Sequence, residues 1–130
     1  MAGNIRVLFV DDQQDFLEPM SFWMLSRGYD VMTALDGPSG IEYVKKGGID
    51  VVVLDYKMPG MNGIEVLTKI REFNKTIPVI MVTSYMDDSI IYPGKDLNVS
   101  GHFSKMGDFG DLEKLLEKVL ADAKKSKSSE

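Results

Sequence analysis

The chain contains no cysteine. Disulfides, thiolate metal sites and cysteine nucleophiles are therefore excluded, and a small domain without disulfides fits the cytosol. Histidine is almost as scarce: His102 stands alone, so zinc and copper lack their customary donors. No apolar run approaches the length of a membrane span. The first such run, residues 7–10, ends at once in Asp11-Asp12, which is no signal-peptide pattern. A cytoplasmic protein with no membrane partner is the expectation. Positive charge is short as well. Fifteen Lys and Arg face twenty Asp and Glu, a formal net charge of −5. Modules that bind nucleic acid directly carry a concentrated basic patch instead. The single basic run, Lys124-Lys125-Ser126-Lys127, falls in what is expected to be a solvated, disordered tail over residues 124–130.

What is present suits one domain, expected over residues 4–123. Of 130 residues, 44% are hydrophobic and 27% charged, enough to fill a core and keep it soluble. Short β-rich runs alternate with amphipathic segments. Residues 5–10 and 29–34 read as strands. Residues 51–54 (Val-Val-Val-Leu) and 79–82 (Val-Ile-Met-Val) read as strands covered on both faces, and residues 101–104 as a short fifth. Between them, residues 14–27 read as a helix with Phe16, Met20, Trp23 and Met24 on one face and Gly28 as its stop; Pro19 predicts a kink or a late start. Further helices are expected over residues 38–46, over residues 64–74, and along the stripe Leu112, Leu115, Leu116, Val119, Leu120, with Asp108 as N-cap. Strict alternation with short connections implies a parallel sheet with helices on both faces.

Ligands in such sheets bind beyond the carboxyl ends of the strands. The polar residues fall there: Asp11 and Asp12 after the first strand, Asp55 after the third, Thr83 and Ser84 after the fourth, Lys105 after the fifth. One aspartate at a strand end is ordinarily a turn residue or a helix cap. Three that converge repel one another until they share protons or a cation neutralises them. A hard divalent ion with oxygen ligands, such as Mg²⁺, is the natural partner. A carboxylate can also act as nucleophile toward phosphorus, and phosphoryl transfer calls for a metal and a cation on the transferring oxygens. Lys105 is the candidate cation and the Thr83 hydroxyl a further donor.

These residues carry a resemblance. Val7-Leu8-Phe9-Val10-Asp11-Asp12 is similar to the opening of a response regulator receiver domain of bacterial two-component systems, of the chemotaxis-regulator type. Asp55-Tyr56-Lys57-Met58-Pro59-Gly60-Met61-Asn62-Gly63 closely resembles that family's phosphorylation loop. Val79-Ile80-Met81-Val82-Thr83-Ser84 resembles its fourth strand and switch hydroxyl, and Lys105 falls where the family has its lysine. The resemblance implies a flavodoxin-like, doubly wound, five-stranded parallel sheet in the order 2-1-3-4-5. It implies a phosphoacceptor regulatory domain rather than an enzyme. Asp55 would accept a phosphoryl group from a sensor histidine kinase or phosphotransfer protein. Asp12 and Asp55 would bind Mg²⁺ directly with the Lys57 backbone carbonyl, and Asp11 would assist. Thr83, the Ser84 amide and Lys105 would hold phosphoryl oxygens, and Lys57 and Tyr85 would sit where dephosphorylation is tuned. Output would pass to a downstream protein or a C-terminal effector domain, for which these residues leave no room.

There are departures from the family pattern. Met106 replaces the proline that ordinarily follows the lysine. His102 replaces a switch aromatic, and Asn98-Val99 stands for Gly-Ala. Pro93-Gly94 interrupts the fourth helix, which is expected to be irregular over residues 86–99, with one short turn near residues 88–92. Two other readings fit less well. A dehalogenase-like phosphohydrolase wants D-x-D after its first strand, which Asp11-Asp12-Gln13-Gln14 does not supply. A receiver that has lost phosphorylation would not need Asp11, Asp12, Asp55, Thr83 and Lys105 together.

Overall fold

Five strands and four helices alternate in the computed structural model, which describes residues 4–83 and 97–128. In chain order they are β1 (Arg6–Val10), α1 (Gln14–Ser26), β2 (Asp30–Ala34), α2 (Gly37–Lys46), β3 (Val51–Asp55), α3 (Gly63–Phe73), β4 (Val79–Thr83), β5 (Gly101–Ser104) and α4 (Phe109–Ser128). The strands form one parallel sheet in the order β2-β1-β3-β4-β5, as the resemblance implied.

Side-chain alternation along each strand divides the core into two layers. Leu8, Val10, Val52, Leu54, Val79 and Met81 point to one face, where Ile41 and Val44 of α2 and Val66, Leu67 and Ile70 of α3 cover them. Val7, Phe9, Val51, Val53, Ile80, Val82 and Phe103 point to the other, under Leu17, Met20 and Met24 of α1 and Leu112, Leu116 and Val119 of α4. Burying each such aliphatic side chain contributes about 1.5–3 kcal/mol. The central strand β3 is buried at all five positions, which is why it reads as an unbroken apolar run.

Local signals set the helix starts. The Asp36 side chain accepts from the Ser39 amide at 2.8 Å and opens α2, with Pro38 in the first turn. Asn62 and Glu65 form a reciprocal capping box at the start of α3, each accepting at 2.9 Å from the other's backbone amide. Pro19 produces no late start: α1 begins at Gln14 and runs through it, its first turn closed by the Phe16 and Leu17 amides on the Gln13 carbonyl. The carbonyl that Pro19 leaves without an amide is that of Asp15. Both residues are exposed, so water can serve it, while Met20 and Met24 hold the helix down.

At the other end, the backbone of α4 stays helical to Ser128, beyond residue 123, where a disordered tail was expected to begin. Alanine and lysine are good helix formers. The irregular fourth helix expected over residues 86–99 lies outside the described residues except for its end at Leu97–Val99. That end is fastened by Arg71 of α3. Its guanidinium donates to the carbonyls of Leu97 (2.8 Å), Asn98 (3.1 Å) and Asn74 (3.1 Å).

Candidate functional site

The register levels the carboxyl ends of the three inner strands. Val10 pairs with Leu54, Asp55 with Val82, and Thr83 with Ser104. Asp11 leaves β1 held by its amide on the Ala34 carbonyl at 3.0 Å. Asp55 and Thr83 are the last residues of their strands rather than the first after them, because their backbones are still paired in the sheet. Lys105 follows β5, its amide donating to the Thr83 carbonyl at 2.9 Å. The loop after Asp55 is drawn back by the Gly63 amide on the Tyr56 carbonyl at 2.8 Å. Glycine is required at position 63, since a Cβ there would collide with the Asp55 carbonyl oxygen. Gly60, with φ of +81°, makes the left-handed turn of the same loop.

Three carboxylates thus meet. One oxygen from each of Asp11, Asp12 and Asp55 lies within 4.8 Å of the other two. Asp11 and Asp55 are only 2% and 3% exposed, while Asp12 is open to solvent. Lys105 Nζ pairs with Asp11 Oδ2 at 2.9 Å and with Asp55 Oδ2 at 3.4 Å. Three carboxylates against one ammonium leave a net charge of −2 when all are ionised. Burial, and secondly the charge of Asp11, push the Asp55 carboxyl up to about 7, against the opposing pull of Lys105 and the Lys57 amide. Asp11 Oδ2 is buried and, among the described residues, accepts no hydrogen bond, its contact with Lys105 being an ion pair at 2.9 Å. An all-oxygen donor set, excess negative charge and a buried unsatisfied oxygen fit a hard cation. The oxygen separations are comparable to the roughly 4 Å span of a Mg²⁺ coordination sphere.

A cavity of about 340 Å³ opens over this cluster, lined by Asp12, Gln13, Asp55, Lys57, Met58, Pro59 and Lys105. Lys57 borders it with an exposed side chain. Thr83 is buried at the rim of the sheet, joined to Lys105 through its carbonyl. Ser84 and Tyr85 lie outside the described residues. His102 is on β5 opposite Met81, half-buried on the face away from Phe103, and does not line the cavity. Among the described residues its buried Nε2 has no hydrogen-bond partner, and burial pulls the imidazole below its ordinary range. Met106 is exposed, its amide donating to Ser104 Oγ at 3.1 Å in the turn that follows β5.

Gln13 was not singled out from the sequence. Its amide donates to Asp11 Oδ1 at 2.9 Å, and its side-chain Oε1 accepts from Lys105 Nζ at 2.6 Å. The signal available was an aspartate two residues upstream, a spacing that favours a local side-chain turn. Phe16 adds its ring, centred 5.0 Å from the Lys105 ammonium.

Comparison with known proteins agrees with this geometry. The family model for the response regulator receiver domain matches residues 7–117. Sporulation initiation phosphotransferase F of Bacillus subtilis is 32% identical over 117 residues, which cover 90% of this chain and 94% of that protein. Transcriptional regulatory protein DltR of Streptococcus agalactiae is 32% identical over 108 residues, 83% of this chain but 48% of DltR, so the chain spans about half of that regulator. Among solved structures, chemotaxis protein CheY4 of Vibrio cholerae superposes with a TM-score of 0.86 at 29% identity, covering 90% of this chain and 99% of that one. The chain belongs to the response regulator receiver domain family, the regulatory domains of two-component signal transduction.

Proposed function

We propose that Asp55 is the phosphoacceptor of this receiver domain and that Asp11, Asp12 and Asp55, with the Lys57 carbonyl, hold the Mg²⁺ its phosphorylation needs. One observation carries the reading: a buried aspartate at a strand end, lining a cavity, lies within 4.8 Å of two more carboxylates and pairs with one lysine. A carboxylate oxygen of Asp55 attacks phosphorus. The new O–P bond forms as the P–N bond of a phosphohistidine breaks, and its electron pair stays on the imidazole. With acetyl phosphate the bond broken is P–O and the pair leaves on acetate. Mg²⁺, when bound, supplies positive charge that offsets the carboxylates and the phosphoryl oxygens. Lys105, already 3.4 Å from Asp55 Oδ2, follows the negative charge onto the phosphoryl group, and the Thr83 hydroxyl and Ser84 amide donate to the same oxygens. His102 acts in the switch that reads this state.

The receiver unit, residues 4–123, thus catalyses only its own phosphorylation and dephosphorylation. Its donor is a sensor histidine kinase or phosphotransfer protein in the cytoplasm, and its output a downstream protein or a C-terminal effector domain. Among the described residues, no helix is long and apolar enough to cross a membrane. The test is incubation with acetyl phosphate and Mg²⁺ followed by intact-mass measurement. One acid-labile phosphoryl group should appear on the wild type and none on Asp55→Asn; equal labelling of the two would remove Asp55 from the role.

A further inference from the structure

Lys105 has more partners than its place beside Asp55 requires. Its shortest contact is with neither carboxylate. It is the 2.6 Å hydrogen bond to Gln13 Oε1, against 2.9 Å to Asp11 Oδ2 and 3.4 Å to Asp55 Oδ2. An ammonium has three donors and a long, flexible stem. Between two buried carboxylates it should by Coulomb attraction settle onto both. An exposed, uncharged amide would be a poor competitor unless the backbone presented it, and the backbone does. The Gln13 amide is fastened to Asp11 Oδ1 at 2.9 Å, and the Gln13 carbonyl anchors the first turn of α1. On its other flank the ammonium faces the ring of Phe16. Gln13 and Lys105 also form part of the wall of a second cavity, of about 440 Å³, toward α1. The pair therefore stands between that cavity and the one over Asp55.

We propose that Gln13 is a positioning residue for Lys105: its amide oxygen holds the ammonium back from Asp55 and so keeps the Asp55 carboxylate accessible to the cation and to the phosphoryl donor. The proposal rests on Asp55 being the phosphoacceptor. Removing the acceptor lets Lys105 sink between Asp11 and Asp55. There it occupies the oxygens a cation would bind and neutralises the nucleophile. A neutral acceptor suits the task, because it steers the ammonium without adding a fourth carboxylate to the cluster.

The test uses Gln13→Met, which keeps the size and removes the acceptor, and Gln13→Glu, which restores one. Each is made in the wild type and in Lys105→Ala. Gln13 is exposed, so the fold should tolerate both changes. Two quantities are read: the rate of Asp55 labelling by acetyl phosphate, and the Mg²⁺ concentration for half-saturation, by titration without any phosphodonor. Loss of one charge-assisted hydrogen bond corresponds to about a tenfold effect. Gln13→Met should therefore label about tenfold more slowly and need several-fold more Mg²⁺. Gln13→Glu should recover part of the labelling rate. Gln13→Met should not matter once Lys105 is alanine. A Gln13→Met protein equal to wild type in both quantities overturns the inference, and so does an effect of Gln13→Met that persists in Lys105→Ala. If the wild type takes no label at all, the phosphoacceptor reading fails, while the Mg²⁺ titration still decides whether Gln13 acts through Lys105.

Discussion

Replacing Asp55 by asparagine should make the metal-free protein more stable, by an amount that grows as pH rises from about 4 to about 7. In an unfolded chain this carboxyl would titrate near 3.8; burial and Asp11 raise it to about 7 in the fold. Between those values the native state binds the extra proton, so stability falls as pH rises. The contribution is fully present below pH 3.8 and is lost as pH passes about 7. A pKa displacement is worth about 1.4 kcal/mol for each pH unit, so ionised Asp55 costs the fold at most roughly 4 kcal/mol at pH 8. Asparagine has nearly the same shape and does not titrate, and Lys105 keeps Asp11 and Gln13 as partners. Urea unfolding in EDTA at pH 5 and pH 8 measures the difference. At pH 5, about one unit above the unfolded value, the substitution should already stabilise by roughly 1–2 kcal/mol. At pH 8 it should stabilise by roughly 2–4 kcal/mol, allowing for relaxation around the buried carboxylates. Saturating Mg²⁺ should then stabilise the wild type and narrow the gap. An advantage of Asp55→Asn that is the same at both pH values would refute the reasoning, for the gain would not come from ionisation.

Two further outcomes follow from the same structure. Asp12→Ala should be no less stable than wild type in EDTA, since it removes one of three mutually repelling carboxylates, yet it should gain little stability from Mg²⁺; an unchanged Mg²⁺ affinity by titration would exclude Asp12 as a ligand. Arg71→Met keeps the buried stem and removes three hydrogen bonds to carbonyls. It should cost roughly 2 kcal/mol in urea unfolding and raise amide exchange at Val99 and Ser100, whereas unchanged exchange there would show that the clasp holds nothing.

The sequence determined the alternation of strands and helices in this protein, while the strand order came from its resemblance to a known family. Unbroken apolar runs such as residues 51–54 mark strands covered on both faces, and the alternation with amphipathic segments leaves few topologies open. Because side chains at strand ends emerge at one edge of such a sheet, Asp11, Asp12, Asp55, Thr83 and Lys105 could be assigned to a shared site before any distance was known. The errors were local. Asp55 and Thr83 belong to their strands because a neighbouring strand still pairs with them, which composition does not encode. Pro19 is tolerated inside α1 because the carbonyl it orphans faces water, and that depends on which side of the helix packs.

Only the tertiary structure decided the energetics of the site. That Asp55 is held up to about 7 depends on how completely two helical layers exclude water from it and how near Asp11 comes. That Lys105 rests closer to Gln13 than to either carboxylate depends on a rotamer choice among partners far apart in the chain. That Arg71 spends its charge on the carbonyls of Leu97 and Asn98 depends on where the chain returns to the sheet. Periodicity reports which face of an element is buried. Short-range electrostatics varies steeply with tenths of an ångström and with local dielectric, and those quantities exist only once the elements have packed.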